Sequence, residues 1–348
     1  MSQPVRIGVV GVGSLGFHHA RILREVPGAE LRGIFDTHAE RLAEVASQLA
    51  VPAAADLESL LDQVDACVIA VPTEAHERVA LEAVGRGVHV LVEKPIAPTL
   101  EAADRILERA AASGALVQIG HVERFNGALR ACEPYLEEPL FVESHRLAPF
   151  GPRGTDVAVV LDLMIHDLDL VLSLMGRPVA SVAAVGVPVL TPSPDIANAR
   201  LEFEGGGVAN LTASRVSLER MRKIRFFQRS GYISLDLAAG RGEFLRLRPG
   251  VDVEAAMRGV AALAVGPAGS AAAAPGAATG MRLEDILERV VLEGDGTEPL
   301  RAELDSFVAA VRGNAPLAVS GREGRAALAT ALEIIGRIQR HVAHRNPA

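Results

Sequence analysis

The sequence predicts an α/β unit on a parallel sheet, followed by an α+β unit on an antiparallel one. Three observations point there. Over the first 120 of 348 residues, short apolar runs alternate with amphipathic stretches, the rhythm of parallel strands covered on both faces. The first apolar run passes directly into a glycine-rich turn. After Gly120 the alternation gives way to consecutive strand patterns joined by short turns, which belong to antiparallel sheets.

Strand, turn and helix come first. Ile7-Gly8-Val9-Val10 leads into Gly11-Val12-Gly13-Ser14-Leu15-Gly16, a G-x-G-x-x-G, and an amphipathic helix follows from Phe17. Such glycines let the backbone turn tightly and approach a pyrophosphate. The helix start adds free N–H groups and the positive end of its dipole. A second apolar stretch, Leu31 to Phe35, ends in Asp36, twenty residues after Gly16, where a dinucleotide fold places the carboxylate that holds a ribose 2′-hydroxyl. A 2′-phosphate would meet a like charge there, so NAD is the expected cofactor.

The remaining strands of this unit are expected at Ala66–Val71, His89–Val92 and Leu116–Ile119. Helices are expected at Phe17–Glu25, Ala39–Leu49, Glu74–Gly85 and Leu100–Ser113, with a short helical turn within Ala54–Leu61. Ligands on such sheets bind at the carboxyl ends of the strands. Two motifs lie at those ends: Val71-Pro72-Thr73, with Glu74 and His76 in the next helix, and Glu93-Lys94-Pro95. Thr73, His76, Glu93 and Lys94 join Gly11, Gly13, Ser14, Leu15, Gly16 and Asp36 as candidate cofactor contacts. His18 and His19 read as packing or surface residues.

In the second half, His121 to Asn126 leads into a helix ending near Tyr135, and Pro139–Leu147 reads as a strand. Val159–Met175 reads as a helix carrying Asp162, His166, Asp167 and Asp169. Strands follow at Ala180–Val189, Ile196–Glu204, Gly207–Ser217, Lys223–Gln228 and Tyr232–Leu237, with Gly205-Gly206 as a hairpin signal. Residues 256–280, rich in Ala and Gly, read as a mobile insertion rather than a membrane helix. Residues 298–312 and 322–343 read as helices. The division expected is 1–120 for NAD binding, 121–320 for substrate and oligomerisation, and 321–348 as a helix packing back on the first unit.

Totals bound the function. Hydrophobic content of 49%, charged content of 22% and a net charge of −8 suit a globular enzyme and argue against general nucleic-acid binding. Two cysteines give neither a disulfide framework nor a zinc pattern, and no metal is expected. No signal peptide or membrane span is expected, which makes the cytoplasm the expected location.

Oxidation of a secondary alcohol needs a base for the hydroxyl proton and a nicotinamide close to the carbinol hydrogen. Asp162 and His166 are four apart and share one face of a helix. His166 is suited to take a proton near neutrality. Lys94 can hydrogen-bond the reacting hydroxyl and stabilise developing alkoxide charge, or share the base role if its pKa is depressed, and Asp162 can orient the imidazole or hold a sugar hydroxyl. The bland alternative is a surface pair, but the neighbours Leu161, Leu163, Met164, Ile165 and Leu168 make this helix largely apolar. His121, Arg124, Asn126 and Arg215 are candidate substrate contacts. Against that, Arg124 can equally form a structural ion pair with Glu123 or another neighbour, and His121 can be a packed residue. The basic run through Arg215, Arg220, Arg222, Lys223, Arg225 and Arg229 reads either as a seat for a diphosphate or as a solvated strand face or subunit contact.

With these residues placed, the chain resembles the Gfo/Idh/MocA oxidoreductases. The resemblance rests on Gly11 to Gly16, Glu93-Lys94-Pro95, Gly120 to Asn126, and Asp162-x-x-x-His166-Asp167. It implies a Rossmann domain, a C-terminal domain with an open, mostly antiparallel sheet used for oligomerisation into dimers or tetramers, and Lys94, Asp162 and His166 at the substrate carbon. Gly120 to Asn126, Ser214 to Phe227 and Tyr232 to Asp236 are similar to members that oxidise the 3-hydroxyl of UDP-N-acetylglucosamine. Their 3-keto product passes to a PLP-dependent aminotransferase, and the amino sugar is used for lipid A. Alternatives are a polyol or free-sugar dehydrogenase and a non-catalytic NAD-sensing regulator.

Overall fold

The computed structural model describes residues 3–151, 157–248, 250–251 and 286–345. The segment 256–280, expected to be a mobile insertion, lies outside the described residues.

The first sheet has five parallel strands in the order β2-β1-β3-β4-β5: β1 (Val5–Val10), β2 (Ala29–Phe35), β3 (Ala66–Ile69), β4 (His89–Glu93) and β5 (Val117–Gly120). All four residues of β3 and of β5 are buried, as expected of strands covered on both faces. The covering helices are α1 (Ser14–Leu23), α2 (Ala39–Leu49), α3 (Leu57–Leu61), α4 (Thr73–Gly85) and α5 (Leu100–Ser113). Sequence sets their ends. Thr99 accepts from the Ala102 amide at the start of α5, and Gly114 closes that helix in the left-handed region. Asp56 and Ser59 form a capping box on α3. The chain leaves β1 toward β2 on one side and returns to β3 on the other. The crevice at this reversal, beyond the strand ends, is where such sheets take ligands.

After β5 come a 3-10 turn (Val122–Phe125), the short α6 (Gly127–Cys132) and a second 3-10 turn (Glu133–Tyr135), where one continuous helix was expected. Asn126 interrupts it by capping α6 through its side chain. The second sheet has eight strands in the order β13-β12-β11-β10-β6-β9-β8-β7. They are β6 (Phe141–Leu147), β7 (Val179–Val187), β8 (Ile196–Phe203), β9 (Val208–Ser214), β10 (Met221–Gln228), β11 (Gly231–Asp236), β12 (Arg241–Leu247) and β13 (Leu287–Glu293). Only β6 and β9 pair in parallel; every other neighbouring pair is antiparallel. Gly205 and Gly206 both take φ of +90° and make the β8–β9 turn.

Strands β12 and β13 escaped the sequence reading. Apolar side chains on both faces of Arg241–Leu247 blur its alternation, with Phe244 buried and Leu245 and Leu247 exposed. Val160–Met164 forms a π-helical turn ahead of α7 (Ile165–Met175), so the single α-helix expected over Val159–Met175 is replaced by two different windings. Near the end come α8 (Pro299–Val311) and α9 (Gly321–Arg345). α9 was expected against the first unit, but it lies across both. Leu328 belongs to the apolar core beside α5, whereas Ala331, Ile334 and Ile338 are buried in the core of the second sheet.

Candidate active site

The glycine turn is built for a close backbone approach. Gly11, at φ +84°, donates its amide to the Phe35 carbonyl at 2.7 Å, and a Cβ there would stand 2.6 Å from the Ala70 carbonyl oxygen. A Cβ on Gly16 would fall 1.8 Å from the Gly11 oxygen, so α1 packs directly on the turn. Gly13 differs: a Cβ there would meet nothing within 4 Å, so its backbone faces open space at the start of α1. Beside it lies a cavity of about 270 Å³, lined among others by Gly11, Gly13, Asp36, Val71, Pro72 and Arg78. The Asp36 carboxylate accepts from the Val12 amide at 2.7 Å and the His38 amide at 2.9 Å. It therefore joins the glycine turn to the start of α2 at the cavity edge. An open helix N-terminus, a cavity at the strand reversal and a carboxylate at its rim fit a dinucleotide. Ser14 begins α1 and Leu15 is exposed beside it. Thr73 begins α4.

Two candidate cofactor contacts are committed elsewhere. His76 is buried, with Nδ1 2.8 Å from the Pro95 carbonyl oxygen and Nε2 2.9 Å from that of Val71. It clamps two strand-end segments together instead of opening into the cavity. Glu93 is also buried. Its Oε1 lies 2.7 Å from Nε2 of His19, and its Oε2 accepts from the Lys94 amide at 3.2 Å. His19, read from sequence as a packing or surface residue, thus ties the cofactor helix to the strand that leads into Lys94.

Lys94 is the link to the second unit. Its ammonium donates to the backbone carbonyl of Asp162, at 2.8 Å, in the π turn. Such wide turns are frequent at functional sites. Burial pulls the Lys94 ammonium below the ordinary lysine value and Arg146 adds to the lowering, while the Asp162 and Glu93 carboxylates oppose it. His166 follows the π turn, and its Nδ1 is enclosed with no partner among the described residues. Burial holds this imidazole well below the ordinary histidine value, and the charges of Lys94, Arg146, His121 and Arg222 reinforce that. Lys94, Asp162 and His166 therefore form one electrostatic cluster, with a neutral imidazole beside a cation.

A buried charge network frames it. Arg146 holds Asp167 with Nε and Nη2, at 2.8 and 3.0 Å, and donates to Glu123 from Nη1 at 2.8 Å. All three are buried, so removing one partner would cost about 3–5 kcal/mol. Sequence held a signal for Arg146 that was missed. It occupies an inward position of β6, in step with the buried Val142 and Ser144, and a charge on the buried face of a strand needs a partner. Arg222, opposite Arg146 in the β6–β10 register, is more open and lies 3.6 Å from Glu123.

Three of the four expected substrate contacts are engaged within the protein. Arg124 is taken by Asp169 through two bonds at 2.6 and 2.9 Å, and by Ser173. Asn126 is buried, caps α6, and donates to Glu123 and to the Leu237 carbonyl. Arg215 is buried and donates to the Val157 carbonyl beside Asp195. His121 is enclosed, with Nδ1 4.0 Å from Asp169. Arg124, Asn126 and Arg215 satisfy the interior, which a lone sequence cannot distinguish from an open polar site, whereas neither ring nitrogen of the enclosed His121 has a hydrogen-bond partner among the described residues. Arg225, from the basic run, pairs with Glu143 across the β6–β10 register.

Comparison with known proteins places this geometry. Residues 5–121 match the oxidoreductase family with an NAD-binding Rossmann fold, and residues 118–234 match the GFO/IDH/MocA C-terminal domain. The chain belongs to the Gfo/Idh/MocA family. As a member of it, the protein is an NAD-binding oxidoreductase. It is 36% identical to the UDP-N-acetylglucosamine 3-dehydrogenase of Acidithiobacillus ferrooxidans over 95% of this chain and 96% of that one. A solved structure of that dehydrogenase superposes with a TM-score of 0.83, covering 98% and 99% of the two chains at 33% identity. The scyllo-inositol 2-dehydrogenase (NAD(+)) of Bacillus subtilis is 28% identical over 62% of this chain and 69% of its own. The WlbA dehydrogenase of Bordetella pertussis, solved with NADH and UDP-GlcNAcA, shares the fold at a TM-score of 0.78 and 20% identity, over 98% and 97% of the chains.

Proposed function

We propose that this Gfo/Idh/MocA oxidoreductase oxidises a secondary alcohol of a sugar nucleotide, the 3-hydroxyl of UDP-N-acetylglucosamine, to the ketone with NAD. The observation that carries the chemistry is the Lys94 ammonium, directly after the carboxyl end of β4, held against the Asp162 carbonyl in the turn that leads to His166, whose imidazole is kept below the ordinary histidine value by burial and by the Lys94 charge. In this reading His166 removes the hydroxyl proton. The Lys94 ammonium, already held against the Asp162 carbonyl, stabilises the alkoxide as it forms. Asp162 holds the neighbouring sugar hydroxyl. NAD, when bound, supplies the hydride acceptor. Asp36 and the Gly11–Gly16 turn seat the cofactor, and Arg222, half open beside Glu123, meets the substrate's diphosphate.

The choice of sugar is supported by the 36% identity to a UDP-N-acetylglucosamine 3-dehydrogenase across nearly the full length of both chains. In the same reading the 3-keto product is passed to a PLP-dependent aminotransferase, leading to lipid A with amide-linked chains. The enzyme works in the cytoplasm; no helix among the described residues is long and apolar enough to cross a membrane. It assembles as a dimer or tetramer through the uncovered sheet face, where Phe141, Phe227 and Tyr232 form a ladder with ring centroids 5.3 and 5.0 Å apart. Thermal stabilisation by UDP in the presence of NAD tests the substrate class. A shift with inositol or glucose and none with UDP or UDP-sugars would reject it in favour of a polyol or free-sugar dehydrogenase. Absence of turnover with every alcohol despite NAD binding would favour a regulator.

A further inference from the structure

Around Glu93, the residue before Lys94, lies a group of side chains that the proposed reaction does not use. Donor atoms of His19 on α1, Glu93 on β4 and Glu303 on α8 all lie within 4.8 Å of one another, and all three residues are buried. Glu303 is 0% exposed, and neither of its carboxyl oxygens has a partner among the described residues. The side-chain oxygen of Gln118 on β5 is enclosed and unpartnered as well, while its amide reaches the Glu303 backbone carbonyl at 3.5 Å. The charged groups around Glu303 are mostly acidic: Glu93 and Asp169 on α7, with His19 the exception. Arg124, on the adjoining 3-10 turn, is already engaged by Asp169.

We propose that Glu303 retains its proton, and that this neutral carboxyl, packed close to Glu93, positions Glu93 and through it Lys94. An ionised carboxylate without donors is strongly disfavoured in a dry interior, and two carboxylates this close do not both ionise. Glu93 has its donors, the His19 ring and the Lys94 amide, whereas Glu303 has none. Glu303 is therefore the one that stays protonated, and burial with the Glu93 and Asp169 charges pushes its acid well above the ordinary range. A cation in the cluster fits less well. The 2.7 Å between His19 Nε2 and Glu93 Oε1 is a hydrogen-bond length, while two ligands of a tetrahedral ion stand roughly 3.4 Å apart. Space is limited too: a Cβ on Gly120 would come within 3.0 Å of the Glu93 carboxyl carbon, so β5 confines Glu93 from the other side. Glu303 is a positioning residue, acting on Lys94 through Glu93.

The test compares the full chain with Glu303→Gln and Glu303→Ala, with NAD present, by melting from about pH 6 to about pH 9. A carboxyl that binds its proton more tightly when folded loses stability as pH rises from its unfolded value toward its folded one; glutamine has no such loss. The Gln variant should melt as high as the parent or higher, with an advantage that widens as pH rises. A Gln variant that fails to fold, or melts lower by a constant margin, would overturn the proposal. So would stabilisation of the parent, but not of the Gln variant, by added zinc or magnesium chloride. The consequence for Lys94 rests on its proposed catalytic role: kcat should stay within a few-fold of the parent in Gln and fall further in Ala, with KM for NAD little changed. Equal losses in both variants would overturn the positioning role. The melting comparison needs no turnover, so it stands apart from the choice of substrate.

Discussion

The Lys94 ammonium donates a 2.8 Å hydrogen bond to the backbone carbonyl of Asp162. One bond thus fixes the end of β4 against the π turn that precedes His166. Replacing Lys94 by Met keeps most of the stem but removes the charge and the bond. The expected result is a loss of kcat on the order of 100-fold or more, with little change in KM for NAD. Steady-state kinetics with each substrate varied would show it; a kcat within a few-fold of the parent would remove Lys94 from the reaction.

His166 is held neutral by burial and by the neighbouring cations. Its proton-accepting form is present at neutrality and is lost only as pH falls through a value below the ordinary histidine range. The acid limb of kcat/KM should accordingly lie below that range. His166→Ala should reduce turnover by about 100-fold to 10,000-fold while NAD binding, read by calorimetry, survives. An acid limb at or above the ordinary histidine value would assign the proton to another group.

Asp36 accepts from both the Val12 and His38 amides. Asp36→Ala should weaken NAD and relax discrimination against NADP, because the like charge facing a 2′-phosphate is gone. Stability should also fall by about 1–3 kcal/mol, since two amides lose their acceptor. If affinities for both cofactors are unchanged, the residue serves only to join the turn to α2.

Much of the fold is legible in sequence where one face or both are buried. The strands of the first sheet are apolar runs, and Ala39–Leu49 and Leu100–Ser113 end where the periodicity ends. The π turn is not legible, because the apolar residues of Val160–Met164 continue into Ile165–Met175 as if in one helix. For the site, the residue types at Lys94, Asp162 and His166 and their placement at element ends point to one cluster. Arg124, Asn126 and Arg215 mislead for the opposite reason. Their partners Asp169, Leu237 and Val157 are distant in sequence, so their polarity looks unspent until the chain is folded. Glu303, whose neighbours His19 on α1 and Glu93 on β4 are more distant still, left no signal.

Arg222 is more exposed than Arg146, and its contact with Glu123 is long, at 3.6 Å. Arg222→Ala should raise KM for a UDP-sugar by about 10-fold or more, and weaken UDP in calorimetry, while KM for NAD is unchanged. Equal affinity for UDP in parent and variant would move the diphosphate seat elsewhere.

The most direct test of the central claim is NADH formation by the parent and His166→Ala, side by side, with UDP-N-acetylglucosamine and with myo-inositol. The account expects NADH and a 3-keto UDP-sugar from the parent with the sugar nucleotide alone, and neither from the variant. Turnover of inositol without turnover of the sugar nucleotide, or a variant as active as the parent, would contradict it.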